Sequence, residues 1–155
     1  MQNTHPRNSI IADSGFWVAL HNRKDTFHTE ALDALDRYEE YRFLTTWPVL
    51  AEASHLLYGR VGFDAQMLFL HNIEQGGSDV FHLVEPWHLQ RIRELMYKYQ
   101  NLPMDLADAS LVILAEELGH GHILSTDQRD FNTYRWKNYQ PFTNVTVHRL
   151  ATLRK

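Results

Sequence analysis

Ser9-Ile10-Ile11-Ala12-Asp13-Ser14-Gly15-Phe16-Trp17 is a short apolar run that stops on an acid. Such a run, bounded by polar residues, reads as a buried strand, with Asp13 at its end. Ser14 to Leu20 then reads as a helical turn or short helix. The pattern returns far along the chain, where His122 to Ser125 reads as a strand and Asp127 follows it.

The segments between alternate in the same way. Thr26 to Tyr41 has apolar residues at helical spacing (Phe27, Ala31, Leu32, Leu35, Tyr38). Arg42 to Thr46 is a second strand. Pro48 suits the first turn of the next helix, with Thr46 or Trp47 near its cap. Val49, Leu50, Ala53, Leu56 and Leu57 give that helix its buried face, and Gly59 and Gly62 mark its end. Phe63 to Glu74 is another helix, closed by Gly76-Gly77. Val80 to Val84 is a third strand, Pro86 begins a helix to about Tyr99, and Val145 to Leu150 is a fifth strand. Asp105 to Leu118 is apolar on nearly every side, which predicts deep burial. Short strands alternating with helices predict an α/β fold with a mainly parallel sheet. Such sheets bind ligands at the carboxyl ends of their strands, so Asp13 and Asp127 are expected to be neighbours.

Composition narrows the class. The 155 residues suit one domain, taken here as 1–155 with its core at about 8–150. With no cysteine there is no disulfide scaffold, thiolate zinc site or cysteine nucleophile. The polar stretch Met1 to Asn8 is unlike a signal peptide, and no apolar run approaches the ~20 residues that span a bilayer. The expected setting is the cytoplasm, with no membrane partner. The net charge of −4 is unusual for a nucleic-acid binder. One or two bound divalent cations would bring it to −2 or 0.

The placement of the acids carries the chemistry. Asp108 lies inside a stretch otherwise suited to burial, where an unpaired carboxylate is costly. Asp105, three residues earlier on the same face, is equally well read as a helix cap. Glu52 alone reads as an exposed helix residue. Carboxylates about 5 Å apart repel by about 3 kcal/mol per pair at an effective dielectric of 20. A cluster of Asp13, Glu52, Asp108 and Asp127 therefore needs protons or metal. Oxygen-only ligation points to magnesium or manganese rather than zinc. Such ions promote phosphodiester hydrolysis by polarising the phosphate, acidifying the attacking water and stabilising the leaving oxygen.

Four stretches, in order, resemble the PIN-domain ribonucleases. Ile11 to Trp17 resembles the first motif, and Thr46 to Glu52 the second. Asp108-Ala109-Ser110-Leu111-Val112 resembles the third, and Ser125-Thr126-Asp127-Gln128-Arg129-Asp130-Phe131 the fourth. The likeness spans roughly residues 8 to 150. It implies a three-layer α/β/α sandwich around a five-stranded parallel sheet and a magnesium-dependent endoribonuclease. Frequently such a protein is the toxin of a VapC-type toxin–antitoxin pair. It carries over Asp13, Glu52, Asp108 and Asp127 as the catalytic acids and metal ligands. Asp130 supports the fourth acid, and Asp105 is an additional candidate ligand. Implied partners are RNA, a cognate antitoxin and a second copy in a homodimer, with Phe63 to Phe69 as one candidate interface. The alternative is a non-catalytic PIN-like module that binds RNA or protein. Gly15 removes the Asp-x-Asp pair of a haloacid-dehalogenase-like phosphatase, and no Walker loop is present.

Other residues have plainer readings. Ser14 and Thr126 suit either a hydrogen bond to a site carboxylate or a helix cap. His55 lies one turn from Glu52, and His120 and His122 flank Gly121. Trp17, Trp47, Trp87 and Trp136 suit core or interface. Arg129, Arg135 and Lys137, and less strongly Arg60, Arg91, Arg93 and Lys98, are candidates to meet RNA phosphates.

Overall fold

The computed structural model describes residues 8–146 and Leu150. The chain runs β1 (Ser9–Ala12), α1 (Ser14–His21), α2 (His28–Arg37), β2 (Arg42–Thr46), α3 (Trp47–Arg60), α4 (Phe63–Asn72), β3 (Asp79–Phe81), α5 (Pro86–Lys98), α6 (Leu106–Leu118), β4 (His122–Leu124) and α7 (Gln128–Thr133). Three two-residue strands follow: β5 (Arg135–Trp136), β6 (Gln140–Pro141) and β7 (Thr143–Asn144).

Five strands form one parallel sheet in the order β3-β2-β1-β4-β7. All four residues of β1 are buried, as a central parallel strand covered on both faces requires. That is why Ser9–Ala12 carries no polar alternation. The chain leaves β1 towards β2 and β3, then returns to the other side of β1 through β4 and β7. The order reverses between β1 and β4, and a crevice opens at the carboxyl ends of strands at such a reversal.

Helices cover the sheet on both faces in a three-layer α/β/α arrangement. Phe16 and Trp17 of α1 pack edge-on against Phe43 of β2, with ring centroids 6.0 and 6.4 Å away. Phe69 of α4 joins this cluster through Trp17. On the opposite face α6 lies along β1 and β2 and is backed by α5. Residues Leu111 to Ala115 are at most 1% exposed, so α6 is buried around its whole circumference in mid-length. A hydrogen bond of 2.6 Å between the hydroxyls of Thr46 and Ser110 ties the start of α3 to α6. Thr46 also caps α3, accepting from the Val49 amide.

Several boundaries differ from the expectation, each for a physical reason. Helix α2 is shorter than Thr26 to Tyr41, and its inward face is narrower than expected. Ala31 and Tyr38 are buried as read, joined by Ala34, whereas Phe27, Leu32 and Leu35 are exposed. The small residues allow α2 to approach α1 closely. Helix α4 ends at Asn72, and a wider turn over Ile73–Gly77 follows, closed by Gly76 at φ 93°. Strand β3 is Asp79–Phe81 rather than Val80 to Val84, because its register is set by pairing with Leu44–Thr46. The fifth strand of the sheet is Thr143–Asn144, paired with His122 and Ile123. The expected span Val145 to Leu150 is not a strand at Val145 and Thr146, and its residues 147–149 lie outside those described. Helix α7 and the hairpin of β5 and β6, which turns at Lys137 and Asn138, have no counterpart in the sequence reading. They are too short to show a period.

Candidate active site

Six carboxylates line one cleft of about 340 Å³ at the carboxyl ends of the strands: Asp13, Glu52, Asp105, Asp108, Asp127 and Asp130. All six sequence candidates are therefore brought together. The fold delivers them from four separate places. Asp13 follows β1 and Asp127 stands between β4 and α7, one on each side of the sheet reversal. Glu52 comes from the second turn of α3. Asp105 and Asp108 come from the start of α6.

Three of these acids are also helix caps. Asp13 Oδ1 accepts the Phe16 amide at 2.9 Å, Asp105 Oδ1 accepts the Asp108 amide at 2.8 Å, and Asp127 Oδ1 accepts the Asp130 amide at 3.2 Å. A cap fixes the side chain and places its charge at the positive end of a helix. For Asp105 the cap and the cleft position hold together; neither reading displaces the other.

Three further carboxylate oxygens are held by hydroxyls. Ser125 donates to Asp13 Oδ2. Ser14 donates to Glu52 Oε1 at 2.6 Å, which realises one of its two expected roles. Tyr134, itself buried, donates to Asp108 Oδ2 at 3.1 Å. Asn144 donates its amide to the Ser125 carbonyl at 2.9 Å and holds that loop to β7. Ser125, Tyr134 and Asn144 were not singled out in the sequence. Ser125 lies within the fourth motif and had a visible signal; Tyr134 and Asn144 had none.

Gly15 lies close against the loop after β4. A Cβ there would stand 2.1 Å from Thr126 Oγ1. With glycine at this place the Thr126 hydroxyl keeps its position beside α1.

The electrostatics are strained in one direction. Burial pushes the Asp13 carboxyl up to about 7, and Asp127 and Glu52 nearby push it further, against the pull of its Ser125 and Phe16 hydrogen bonds. Asp108 also rises to about 7, through burial first and then repulsion from Asp105, with Glu52 and Asp13 adding to it. Glu52 is raised by burial and by Asp105 beside it. Asp127 is raised by burial and by Asp130. Asp13, Glu52, Asp108 and Asp127 are each raised in part by at least one neighbouring acid. Arg60 and Arg129 are the cleft's arginines. Among the described residues no three carboxylate or imidazole side chains close on a common point as a ready-made ligand shell.

The other candidates fall outside the cleft. His55 is exposed and does not line it. His120 bonds Ser9 at 2.8 Å at the opposite end of β4 from Asp127, and burial holds its pKa down at about 4. Arg91 is paired with Glu116, and Arg135 caps the end of α7 on the carbonyls of Asn132, Thr133 and Tyr134. Lys98 lies over the Tyr99 ring and Lys137 over Trp136. Trp17 is core, whereas Trp47 and Trp87 are about half exposed.

A parallel β3-β2-β1-β4-β7 sheet with acids gathered at its reversal is the α/β arrangement that the PIN resemblance implied. Among solved structures the chain is similar to the Mycobacterium tuberculosis toxin VapC20, described as cleaving the sarcin–ricin loop. The TM-score is 0.68 with 24% identity, covering 77% of this chain and 91% of that one. In sequence it is similar to ribonuclease VapC26 of Mycobacterium tuberculosis, 25% identical over 126 residues, covering 81% of this chain and 92% of the relative. No family model matches the chain. The VapC-type PIN resemblance drawn from four short stretches is borne out over most of the chain's length.

Proposed function

We propose that the protein is an endoribonuclease that hydrolyses RNA phosphodiester bonds with magnesium or manganese, and that it is the toxin of a toxin–antitoxin pair. The observation that carries this reading is the convergence of six carboxylates in one cleft with only two arginines among them. Likeness to a VapC ribonuclease supports it.

The donor set fits a hard divalent cation. All the candidate ligands are oxygen, and among the described residues the ion pair made by one of them is Asp130 with Arg129. Magnesium keeps several waters and uses one or two carboxylates, so an open group of acids suits it better than a closed cage. Asp13, Glu52, Asp108 and Asp127 would hold the ion, with Asp105 and Asp130 beside them. When bound, it supplies positive charge to the phosphoryl oxygens and lowers the pKa of water. The chain's residues do the positioning. Ser125, Ser14 and Tyr134 hold Asp13, Glu52 and Asp108 in place, and the helix caps fix Asp13, Asp105 and Asp127. The proton of the attacking water passes to a cleft carboxylate or to solvent.

Partners follow from the same reading. An antitoxin segment carrying an Arg complements the acidic cleft. A homodimer remains part of the proposal, with exposed Phe63, Met67 and Leu68 on α4 as its contact. The test is cleavage of total RNA with magnesium, with and without EDTA, comparing the wild type with Asp13→Asn and Asp108→Asn. Cleavage lost with EDTA and in both folded variants supports the enzyme. Normal cleavage by the variants overturns this mechanism. A protein that binds RNA but neither cleaves it nor binds magnesium is instead a binding module.

A further inference from the structure

Seven basic residues are candidates for phosphate contact in the sequence, and the fold disposes of most of them. Arg91 is committed to Glu116, Arg135 to backbone carbonyls, and Lys98 and Lys137 to aromatic faces. Arg93 stands on α5, outside the cleft. Arg60 and Arg129 are left, and both line the cleft.

Their positions are complementary. Arg60 lies at the end of α3, eight residues after Glu52, which is about 12 Å along the helix axis. It is exposed and makes no ion pair with a described residue. Arg129 lies in the first turn of α7, just past Asp127. Its side chain is 82% exposed and touches Asp130 only at 3.3 Å. Helix α3 follows β2 and α7 follows β4, and these strands flank β1 on opposite sides. Both arginines line the cleft that holds Asp13, one from each of these two helices. Leu56, Leu102 and Pro103 give the same cleft an apolar part of its lining.

We propose that Arg60 and Arg129 are the phosphate-positioning residues of this cleft, gripping the RNA backbone on either side of the scissile phosphate. The proposal rests on the ribonuclease reading above. A single strand then runs from the end of α3, across the carboxylates at β1, to the start of α7. The guanidinium fork matches a phosphate bidentately, and two of them offset the local repulsion between a polyanion and an acidic cleft. They hold the strand without touching the reacting atoms, so they contribute to affinity rather than to the chemical step.

The test separates the two readings. Binding of a fluorescein-labelled single-stranded oligoribonucleotide is measured by anisotropy against salt in the Asp13→Asn background, where cleavage plays no part. Arg60→Gln and Arg129→Gln each weaken binding by about tenfold. Each also reduces the slope of log affinity against log salt by about 0.7, the loss of one phosphate contact on a single strand. Arg60→Lys restores most of the slope, and Arg93→Gln changes neither quantity. In the otherwise wild-type protein Arg60→Gln raises KM by about tenfold with kcat within threefold. An unchanged salt slope in Arg60→Gln and Arg129→Gln overturns the proposal, as does a loss confined to kcat. If the wild type fails to cleave RNA, the enzymatic reading falls, while the binding slopes still decide whether these arginines meet phosphate.

Discussion

Ser125 donates its hydroxyl to the carboxylate of Asp13 across 112 residues of sequence. The bond joins the ends of β1 and β4 at the place where the sheet order reverses. It opposes the burial that drives Asp13 towards its neutral form.

Replacing Ser125 with Ala removes that opposition. The Asp13 pKa, already at about 7, rises further. The variant loses about tenfold in kcat/KM at pH 7, the scale expected when a partner of a ligand carboxylate is removed. Part of the loss returns at pH 8.5, where Asp13 ionises again. A pH–rate profile displaced upward checks this; an unshifted profile counts against a proton at Asp13.

Stability without divalent cations should fall as pH rises from about 4 to about 7. Asp13 and Asp108 have folded-state pKa values raised to about 7 from an ordinary 3.8. The folded state therefore holds more protons than the unfolded state across that window, and folding is favoured at its acid end. Magnesium should raise Tm more at pH 8 than at pH 5. Asp108→Asn, which needs no proton to stay neutral, should have a higher Tm than the wild type at pH 8 without metal. It should also show a flatter pH dependence. Thermal melts in EDTA and in magnesium read both effects.

Tyr134→Phe keeps the ring in the core and deletes one hydroxyl. That hydroxyl stabilises the charged form of Asp108, so its removal raises the Asp108 pKa further. Metal affinity should fall about tenfold at pH 7, in line with other outer-sphere partners, and less at pH 8.5. Titration calorimetry with manganese at the two pH values measures it.

Gly15→Ala tests the close approach beside Asp13. The new methyl would take the place of Thr126 Oγ1 and turn that side chain to another rotamer beside Asp13. Disturbing a group that packs beside a cleft carboxylate costs about tenfold in rate. The cleavage rate should fall far more than the Tm, because the contact is at the cleft and not in the core.

Arg91→Gln should do the reverse. Its guanidinium makes two hydrogen bonds to Glu116, at 3.0 and 2.9 Å, pinning α5 to α6. Loss of this partly buried charged pair costs about 1–2 kcal/mol. That lowers Tm by roughly 2–8 °C for a chain of this size. RNA cleavage and its salt dependence stay unchanged.

The sequence by itself determined the alternation of elements and the acids. Runs such as Ile10–Ala12 are legible because a strand covered on both faces is mostly apolar, and its few polar residues, such as Ser9, must find partners inside. Asp13 and Asp127 stand out because each follows a strand, and Asp108 because it interrupts an apolar helix; Glu52 was legible only through its motif and the company of the other acids. Tertiary structure decided the rest. Which face of α2 turns inward depends on how Ala31 and Ala34 pack beside α1; the hydrophobic pattern found Ala31 and Tyr38 but also counted Phe27, Leu32 and Leu35, which are exposed. The hydroxyls of Ser125 and Tyr134 gain meaning only when β4 and α7 are folded against β1 and α6. The sorting of the basic residues likewise waits on the fold, since a charge shows its sign in the sequence but not its partner. Local patterns record what each segment must bury; contacts between segments distant in sequence are set by packing, which no local pattern encodes.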